Sequence, residues 1–496
     1  MVASIFEINV LKYIMIYGRR RLSRAQLPYI IFSSPILYYI LLIILRHFNK
    51  INRQKNKLIY KFTKFNQVII QQCPSLQTYT APSWLPGPHF NTLFMAFFRT
   101  NPKLSYHRTL LTLPEHHDHG YPNINTNNNT NIPIPNGTIS LDWHGAPPTP
   151  GRTILLVLHG LTGGSDEAYV QHTILAAEET VQKGGLPRKF PTNYTINNND
   201  KETITTVVMN ARGCGGSSLT SPRCFSAAWT ADVRYVVNHI KSIVGTNTPI
   251  VAIGFSLGAG ILAKYVAEDG EDCGLTAAVA CCASYDLNLS SNLLETFPNN
   301  YTYNPTLASN LRKFLHRHIH HFQDIDWLNI HKARSAQTVR EFDTATIVPM
   351  FKYSTVEDYY TDASSGRILH QIKIPFLMLN SIDDPICAVG GISESNVRAS
   401  DYCISVQTKE GGHVAWCQYP SRIKSNGSSS SLFSSTLSGS SLVESIFHSI
   451  IGNFINGLPI TRSWDNDASM QFLSVIINNI EPKQRGGYMN DSTVLG

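Results

Sequence analysis

The chain has 496 residues, 43% of them hydrophobic and 15% charged, which excludes a disordered polypeptide and leaves ample apolar material for a large core. Its formal charge of +7 is concentrated in the first 110 residues, around an apolar run and without a zinc-finger or helix-turn-helix pattern, so nothing points to a nucleic-acid groove. Nine cysteines, an odd number without a Cys-x-x-Cys pair, argue against a disulfide framework and for buried free thiols, and with no His-Glu-x-x-His helix neither a metal nor a cofactor is called for.

Residues 1–26 form a basic flank carrying Arg19, Arg20, Arg21 and Arg24. Residues 27–45 contain only apolar, Ser, Tyr and Pro side chains, over roughly the length that spans a bilayer core. No small-residue cleavage site follows, so the pattern predicts an uncleaved single-pass membrane anchor. Pro28 and Pro35 interrupt the run, and a buried or surface helix is the alternative. Because both flanks are basic, the orientation stays open. Residues 46–78 read as a basic linker and 79–93 as an extended, proline-fixed arm that opens the main domain, 79–496. Residues 123–136, dominated by asparagine and proline, read as a solvated loop. Gly137 to Trp143 alternates apolar and polar residues, as a half-buried strand does.

The core begins at Thr153-Ile154-Leu155-Leu156-Val157-Leu158, a continuous apolar run of the kind found in a strand covered on both faces. It ends in His159-Gly160-Leu161-Thr162-Gly163-Gly164-Ser165, which lacks the Gly-Lys-Ser/Thr ending of a phosphate loop. Strand signals recur at Ile204 to Met209, Ile250 to Ile253, Thr276 to Cys282, Phe376 to Asn380 and Tyr402 to Gln407, with helical stretches between several of them. This alternation predicts an α/β fold with a mostly parallel sheet and helices on both faces, and chemistry beyond the carboxyl ends of the strands.

One of those ends is Gly254-Phe255-Ser256-Leu257-Gly258. An apolar strand breaks at Gly254 and a helix-forming stretch starts after Gly258, so Ser256 sits on a tight strand-to-helix turn where only glycine fits two residues to either side. The following helix aims its first amides at the same spot, which favours a developing anion. Ser256 is therefore the candidate nucleophile.

A serine needs a base, and the base an orienting acid. Asp383-Asp384-Pro385 ends one later strand and Gly411-Gly412-His413 follows the next, so the order Ser256, Asp384, His413 suits a triad on a doubly wound sheet. Asp384 is preferred because Pro385 would start the turn right after it; Asp383 is the alternative acid. Backbone N–H groups of Leu161 and Leu257 are the expected oxyanion donors.

Between 286 and 372 the strand pattern lapses and aromatic residues are frequent, which predicts a helical cap insertion; its aromatics would mostly be core packing, some lining an acyl pocket. His316, His318, His320 and His321 read as a solvated basic helix face. Residues 421–457 form a serine-rich insertion, densest over 421–445, and a helix from Trp464 to Ile477 is expected to pack back on the sheet.

With these residues in view the chain resembles the α/β-hydrolase superfamily, and within it the type 4 family of membrane-associated esterases and lipases: monoacylglycerol-lipase-like, phospholipase-like, medium-chain ester synthase-like and YheT-like proteins. The resemblance runs from about Tyr79 to the C-terminus. It rests on Pro82-Ser83-Trp84-Leu85, Ser140-Leu141-Asp142-Trp143, the His159 to Ser165 loop, Asn210-Ala211-Arg212-Gly213-Cys214-Gly215, the Ser256 elbow, Arg340-Glu341-Phe342-Asp343, Asn380-Ser381-Ile382-Asp383-Asp384-Pro385 and Gly411-Gly412-His413. It implies a single-pass protein of an internal membrane such as the endoplasmic reticulum, acting on a lipid or ester substrate with no obligate protein partner. The activity expected is a carboxylic ester hydrolase, a serine esterase or lipase. Acyl transfer to an alcohol by the same triad is one alternative, and a lipid-binding protein without turnover is another.

Overall fold

The computed structural model describes residues 54–82, 85, 87–114, 124–125, 131–132, 136–186, 204–322, 325, 327–418 and 463–479. The membrane anchor expected at 27–45 and the serine-rich insertion at 421–457 lie outside them. Among the described residues no helix is long and apolar enough to cross a membrane.

Nine strands form the central sheet: β1 (Lys57–Tyr60), β2 (His107–Thr112), β3 (Thr138–Gly145), β4 (Ile154–Leu158), β5 (Thr205–Asn210), β6 (Ile250–Phe255), β7 (Ala277–Cys281), β8 (Phe376–Ser381) and β9 (Cys403–Thr408). Their order is β1-β9-β8-β7-β6-β4-β5-β3-β2. The strands from β5 to β9 pair in parallel through β4, β6, β7 and β8, while β1, β2 and β3 add antiparallel strands at the two edges. The central strands are apolar throughout because both of their faces are covered. On β4, Ile154, Leu156 and Leu158 enter one core and Leu155 and Val157 the other, the period of two that a pleated strand imposes.

The helices are α1 (Lys64–Gln72), α2 (Pro88–Phe98), α3 (Ala168–Gln182), α4 (Ala231–Val244), α5 (Leu257–Asp269), α6 (Leu287–Glu295), α7 (Tyr303–Arg317), α8 (Ile330–Ser335), α9 (Val339–Ala345), α10 (Ile347–Met350), α11 (Val356–Ala363), α12 (Glu394–Ala399) and α13 (Trp464–Asn479). One face of the sheet is covered through Val233 and Val237 of α4 and Leu262 and Tyr265 of α5. The other is covered through Ile69 of α1, Val170 and Ile174 of α3 and Phe472 of α13. Helices α6 to α11 fall between β7 and β8 and, with Leu219 and Phe225 of the loop after β5, build a third apolar cluster that includes Leu311, Phe314, Phe342 and Tyr359.

Four expectations need correction. The basic linker at 46–78 contains edge strand β1 and helix α1; Ile59 is fully buried while Lys57 faces out and pairs with Glu394, so the charges mark the solvent side of an edge strand. The arm at 79–93 turns helical at its end: Gly87, with a φ of +84°, leads into α2 with Pro88 at its first position, where a missing N–H costs nothing. Within the asparagine-rich stretch, Ile124–Asn125 pairs antiparallel with Asn131–Ile132. His318 is not solvated: it is buried and its Nε2 lies 2.9 Å from the carbonyl oxygen of Gly213. All nine cysteines are free and buried, in line with the sequence reading.

Candidate active site

Strand β6 ends at Phe255 and α5 begins at Leu257, so a single residue, Ser256, turns the corner with φ 52° and ψ −116°. Non-glycine residues rarely adopt this conformation. The two flanking glycines have steric causes. A Cβ on Gly254 would lie 2.7 Å from Cα of Ala259, and one on Gly258 would lie 2.4 Å from the carbonyl oxygen of His159. The elbow can therefore fold onto the first turn of α5 only with glycine at 254, and close against the β4 loop only with glycine at 258. The N–H of Ser256 donates to the carbonyl of Cys281 at 2.9 Å, tying the turn to β7.

His413 reaches this serine from the loop after β9. Its Nε2 is 2.9 Å from Ser256 Oγ and its Nδ1 2.8 Å from Asp384 Oδ2. An ionised carboxylate can only accept, so Nδ1 carries the proton and Nε2 offers a lone pair to the serine hydroxyl. The other oxygen of Asp384 accepts from the backbone N–H groups of Ile386 (2.8 Å) and Cys387 (2.9 Å). Burial works against the charged imidazole, but the adjacent Asp384 carboxylate outweighs it and holds the His413 pKa well above its ordinary value.

The histidine loop is held from outside the sheet. The N–H of His413 donates to Thr92 Oγ1 on α2 at 2.9 Å, and Arg99 Nη2 donates to the carbonyl of Val414 at 2.8 Å. A side chain on Gly412 would strike Thr92 Oγ1 at 2.5 Å and one on Gly411 would strike Trp416 Nε1 at 2.4 Å. Thr92 and Arg99 were invisible as site residues in the sequence, since they belong to a stretch that carries no motif of its own.

Leu161 and Leu257 both border the cavity above Ser256. Leu257 opens α5, where a backbone N–H has no intrahelical acceptor. Three hydrogen bonds shape the loop that carries Leu161. The N–H of Gly160 donates to Tyr169 Oη (2.8 Å), the buried His159 bridges through Nδ1 to the carbonyl of Gly160 (2.7 Å), and its Nε2 accepts from the N–H of Ala211 (3.0 Å). Burial lowers the His159 pKa, which keeps the ring neutral as this donor–acceptor bridge requires.

The cavity measures about 570 Å³ and is walled by apolar side chains that include Leu93 and Phe97 of α2, Leu294 of α6 and Leu307 and Phe314 of α7. Ser256 and His413 also border it. Among the described residues Cys282, Asp384 and His413 are the one group of three with metal-ligand atoms within 4.8 Å of one another. Both ring nitrogens of His413 are already engaged and the N–H of Val414 points at Cys282 Sγ from 3.2 Å, so this group offers a cation no free imidazole.

The sequence pattern of the alpha/beta hydrolase fold matches residues 153–414. The chain belongs to the alpha/beta hydrolase family. Among curated relatives, it is 29% identical over 340 residues to the embryogenesis-associated protein EMB8 of Picea glauca, covering 66% of this chain and 65% of that one. It is 32% identical over 272 residues to a monoacylglycerol lipase of Saccharomyces cerevisiae, covering 53% and 55%. With the human phospholipase ABHD3 it shares 28% over 373 residues, covering 74% and 80%. The chain thus spans less than two thirds of the length of the first two relatives.

A second set of charges stiffens this hydrolase scaffold beside the site. Asp142 on β3, 1% exposed, accepts from Arg108 Nε (2.6 Å) and Nη2 (2.7 Å), from Ser165 Oγ (2.5 Å) and from Asn210 Nδ2 (2.7 Å). Asn210 Oδ1 in turn accepts from the N–H of Ser165 at 2.9 Å. One carboxylate thereby joins β2, β3, the end of β5 and the far end of the Leu161 loop. The Ser-Leu-Asp-Trp and Asn-Ala-Arg-Gly motifs of the sequence meet here, through Asp142 and Asn210, at the far end of the Leu161 loop.

Proposed function

We propose that this protein is a serine hydrolase that cleaves carboxylic esters of lipid type through an acyl-enzyme on Ser256. The observation that carries the reading is the position of His413, within hydrogen-bond reach of both Ser256 Oγ (2.9 Å) and Asp384 (2.8 Å) at the wall of an apolar cavity. Relatives named for acylglycerol and phospholipid hydrolysis support the lipid-like substrate.

In this mechanism His413 takes the Ser256 proton as Oγ attacks the ester carbonyl, and Asp384 stabilises the imidazolium that forms. The resulting oxyanion is met by the backbone N–H groups of Leu161 and Leu257; one such donor generally contributes about 3 kcal/mol of transition-state stabilisation. His413 then returns the proton to the departing alkoxide, which leaves as the alcohol. Water, deprotonated by the same imidazole, adds to the acyl-enzyme, and collapse of that second tetrahedral adduct expels Ser256 Oγ and frees the carboxylic acid. An alcohol in place of water would give a new ester by the same steps.

The apolar run at 27–45 supports a single-pass anchor that keeps the enzyme at the membrane where such esters reside. Labelling by a fluorophosphonate probe tests the chemistry. The wild-type protein should react stoichiometrically and Ser256→Ala should not; an unreactive wild type would make this a binding protein with a hydrolase fold. Alkaline carbonate extraction tests the anchor, since a spanning protein stays with the membrane pellet and loses that property when residues 27–45 are deleted.

A further inference from the structure

The Arg340-Glu341-Phe342-Asp343 stretch is only partly accounted for by packing. Arg340 pairs with Glu295 and Glu357, Glu341 accepts from the N–H of Gln337 just before its own helix, and Phe342 is buried in the cap cluster. Asp343 differs from all three. It is 8% exposed, it borders the cavity that holds Ser256, and among the described residues the sole hydrogen bond to its carboxylate comes from Tyr360, whose Oη lies 2.9 Å from Oδ2. Among the described residues no lysine or arginine pairs with it. Burial without a cation pushes its pKa up to about 7. A leucine would suit this apolar wall far better, so the wall is carrying an acceptor oxygen whose partner has to come from inside the cavity.

The surroundings narrow the ligand. Phe342, Tyr359 and Tyr360 belong to the cap cluster against which Leu161 and Leu257, the expected oxyanion donors, are packed. A group beside Asp343 is therefore on the cap side of the reacting carbonyl, whereas Leu93 and Phe97 of α2 belong to another wall. A cationic headgroup would have to shed its water in an apolar cavity, whereas a neutral hydroxyl enters at lower cost and can donate to the carboxylate oxygen that Tyr360 does not engage.

We propose that Asp343 is a specificity-determining residue whose carboxylate accepts a hydrogen bond from a free hydroxyl on the alcohol half of the ester, selecting esters of a polyol such as glycerol over esters of a simple alkanol. The proposal deepens the ester-hydrolase reading and rests on it. Sites built to pair a substrate hydroxyl reject the analogue that lacks one, because the protein's own polar group is then left buried and unpaired.

The test separates binding from turnover. In Ser256→Ala, a non-hydrolysable 1-O-alkylglycerol should bind at least about tenfold more tightly than the alkyl ethyl ether of the same chain, and adding Asp343→Leu should remove that preference while leaving the ethyl ether unaffected. Asp343→Asn keeps an oxygen for Tyr360 and serves if the leucine variant does not fold; it should cut the preference by about threefold or more. Equal binding of the two ethers by Ser256→Ala, or parallel weakening of both on substitution, would overturn the proposal and leave Asp343 a structural partner of Tyr360. In the wild type, kcat/KM for a glyceryl ester should exceed that for the matched ethyl ester. Absence of turnover on both esters would instead count against the hydrolase reading, which the binding comparison does not depend on.

Discussion

Asp383 and Asp384 are neighbours in the chain, yet they serve different parts of one loop. Asp384 Oδ2 lies 2.8 Å from Nδ1 of His413, whereas Asp383 Oδ1 accepts from the backbone N–H of Gly412 at 2.9 Å and from Ser381 Oγ. One carboxylate orients the ring and the other holds the backbone that presents it. Burial, more than the neighbouring Asp384 charge, raises the Asp383 pKa.

Substitution should therefore separate the two. Asp384→Asn is expected to lower kcat on a soluble p-nitrophenyl ester by roughly 10³- to 10⁴-fold, since the amide cannot stabilise the imidazolium and favours the wrong tautomer. Asp383→Asn keeps an oxygen for Gly412 and should cost less than about tenfold. The reverse ranking would give the orienting role to Asp383.

The pH dependence follows from the same pair. A general base works only when neutral, and its neutral fraction grows as pH rises through its pKa. Burial alone would lower the His413 pKa below 6.5, but Asp384 raises it well above that value. The rising limb of kcat/KM should accordingly be centred above pH 6.5, and in Asp384→Asn, where burial acts unopposed, it should move to lower pH. A flat profile between about pH 5 and 8 would exclude His413 as the base.

Much of this arrangement could be read along the chain because its causes are local. The elbow at Ser256 requires glycine at 254 and 258, and the continuous apolar runs of β4 and β6 exist because both faces are covered. Asp384, which the sequence singled out through Pro385, is the carboxylate that lies 2.8 Å from His413. What escaped depends on contacts between distant segments. Thr92 caps the histidine loop from 321 residues away, and nothing near Thr92 announces that partner. Edge strand β1 was taken for linker because it fully buries one residue alone, Ile59, and Lys55, Lys57, Lys61 and Lys64 lie in and around it. The His316 to His321 cluster misled in the same way, since the burial of His318 depends on a loop more than a hundred residues earlier.

The Asp142 network gives a stability prediction. Burial disfavours its charge, but donors from Arg108, Ser165 and Asn210 prevail and leave its pKa below the usual carboxylate value. A depressed folded-state pKa contributes stability above the unfolded value near 3.8, and that contribution is lost as pH falls through the folded value. Asp142→Asn should cost about 2 kcal/mol at pH 7, the low end for a buried pair because Arg108 is still reached by water. Urea melts should show the gap between wild type and variant narrowing below pH 4 or so. A gap that stays constant with pH would mean that packing, and not charge, is what Asp142 contributes.

The last prediction concerns the backbone of the proposed nucleophile. At φ 52° and ψ −116°, Ser256 occupies a region that penalises any residue with a Cβ, by about 1–3 kcal/mol, and the surrounding β6–α5 packing holds it there. Ser256→Ala and Ser256→Gly both remove the hydroxyl and should both abolish fluorophosphonate labelling, so comparing them isolates the backbone. At an ordinary strand or helix position glycine is the less stable of the two by about 0.5–1 kcal/mol. Here the order should invert, with Ser256→Gly more stable than Ser256→Ala by about 1 kcal/mol in chemical denaturation. An alanine variant at least as stable as the glycine one would show that the turn is relaxed, and that the exposure of Oγ to the cavity is obtained without stored strain.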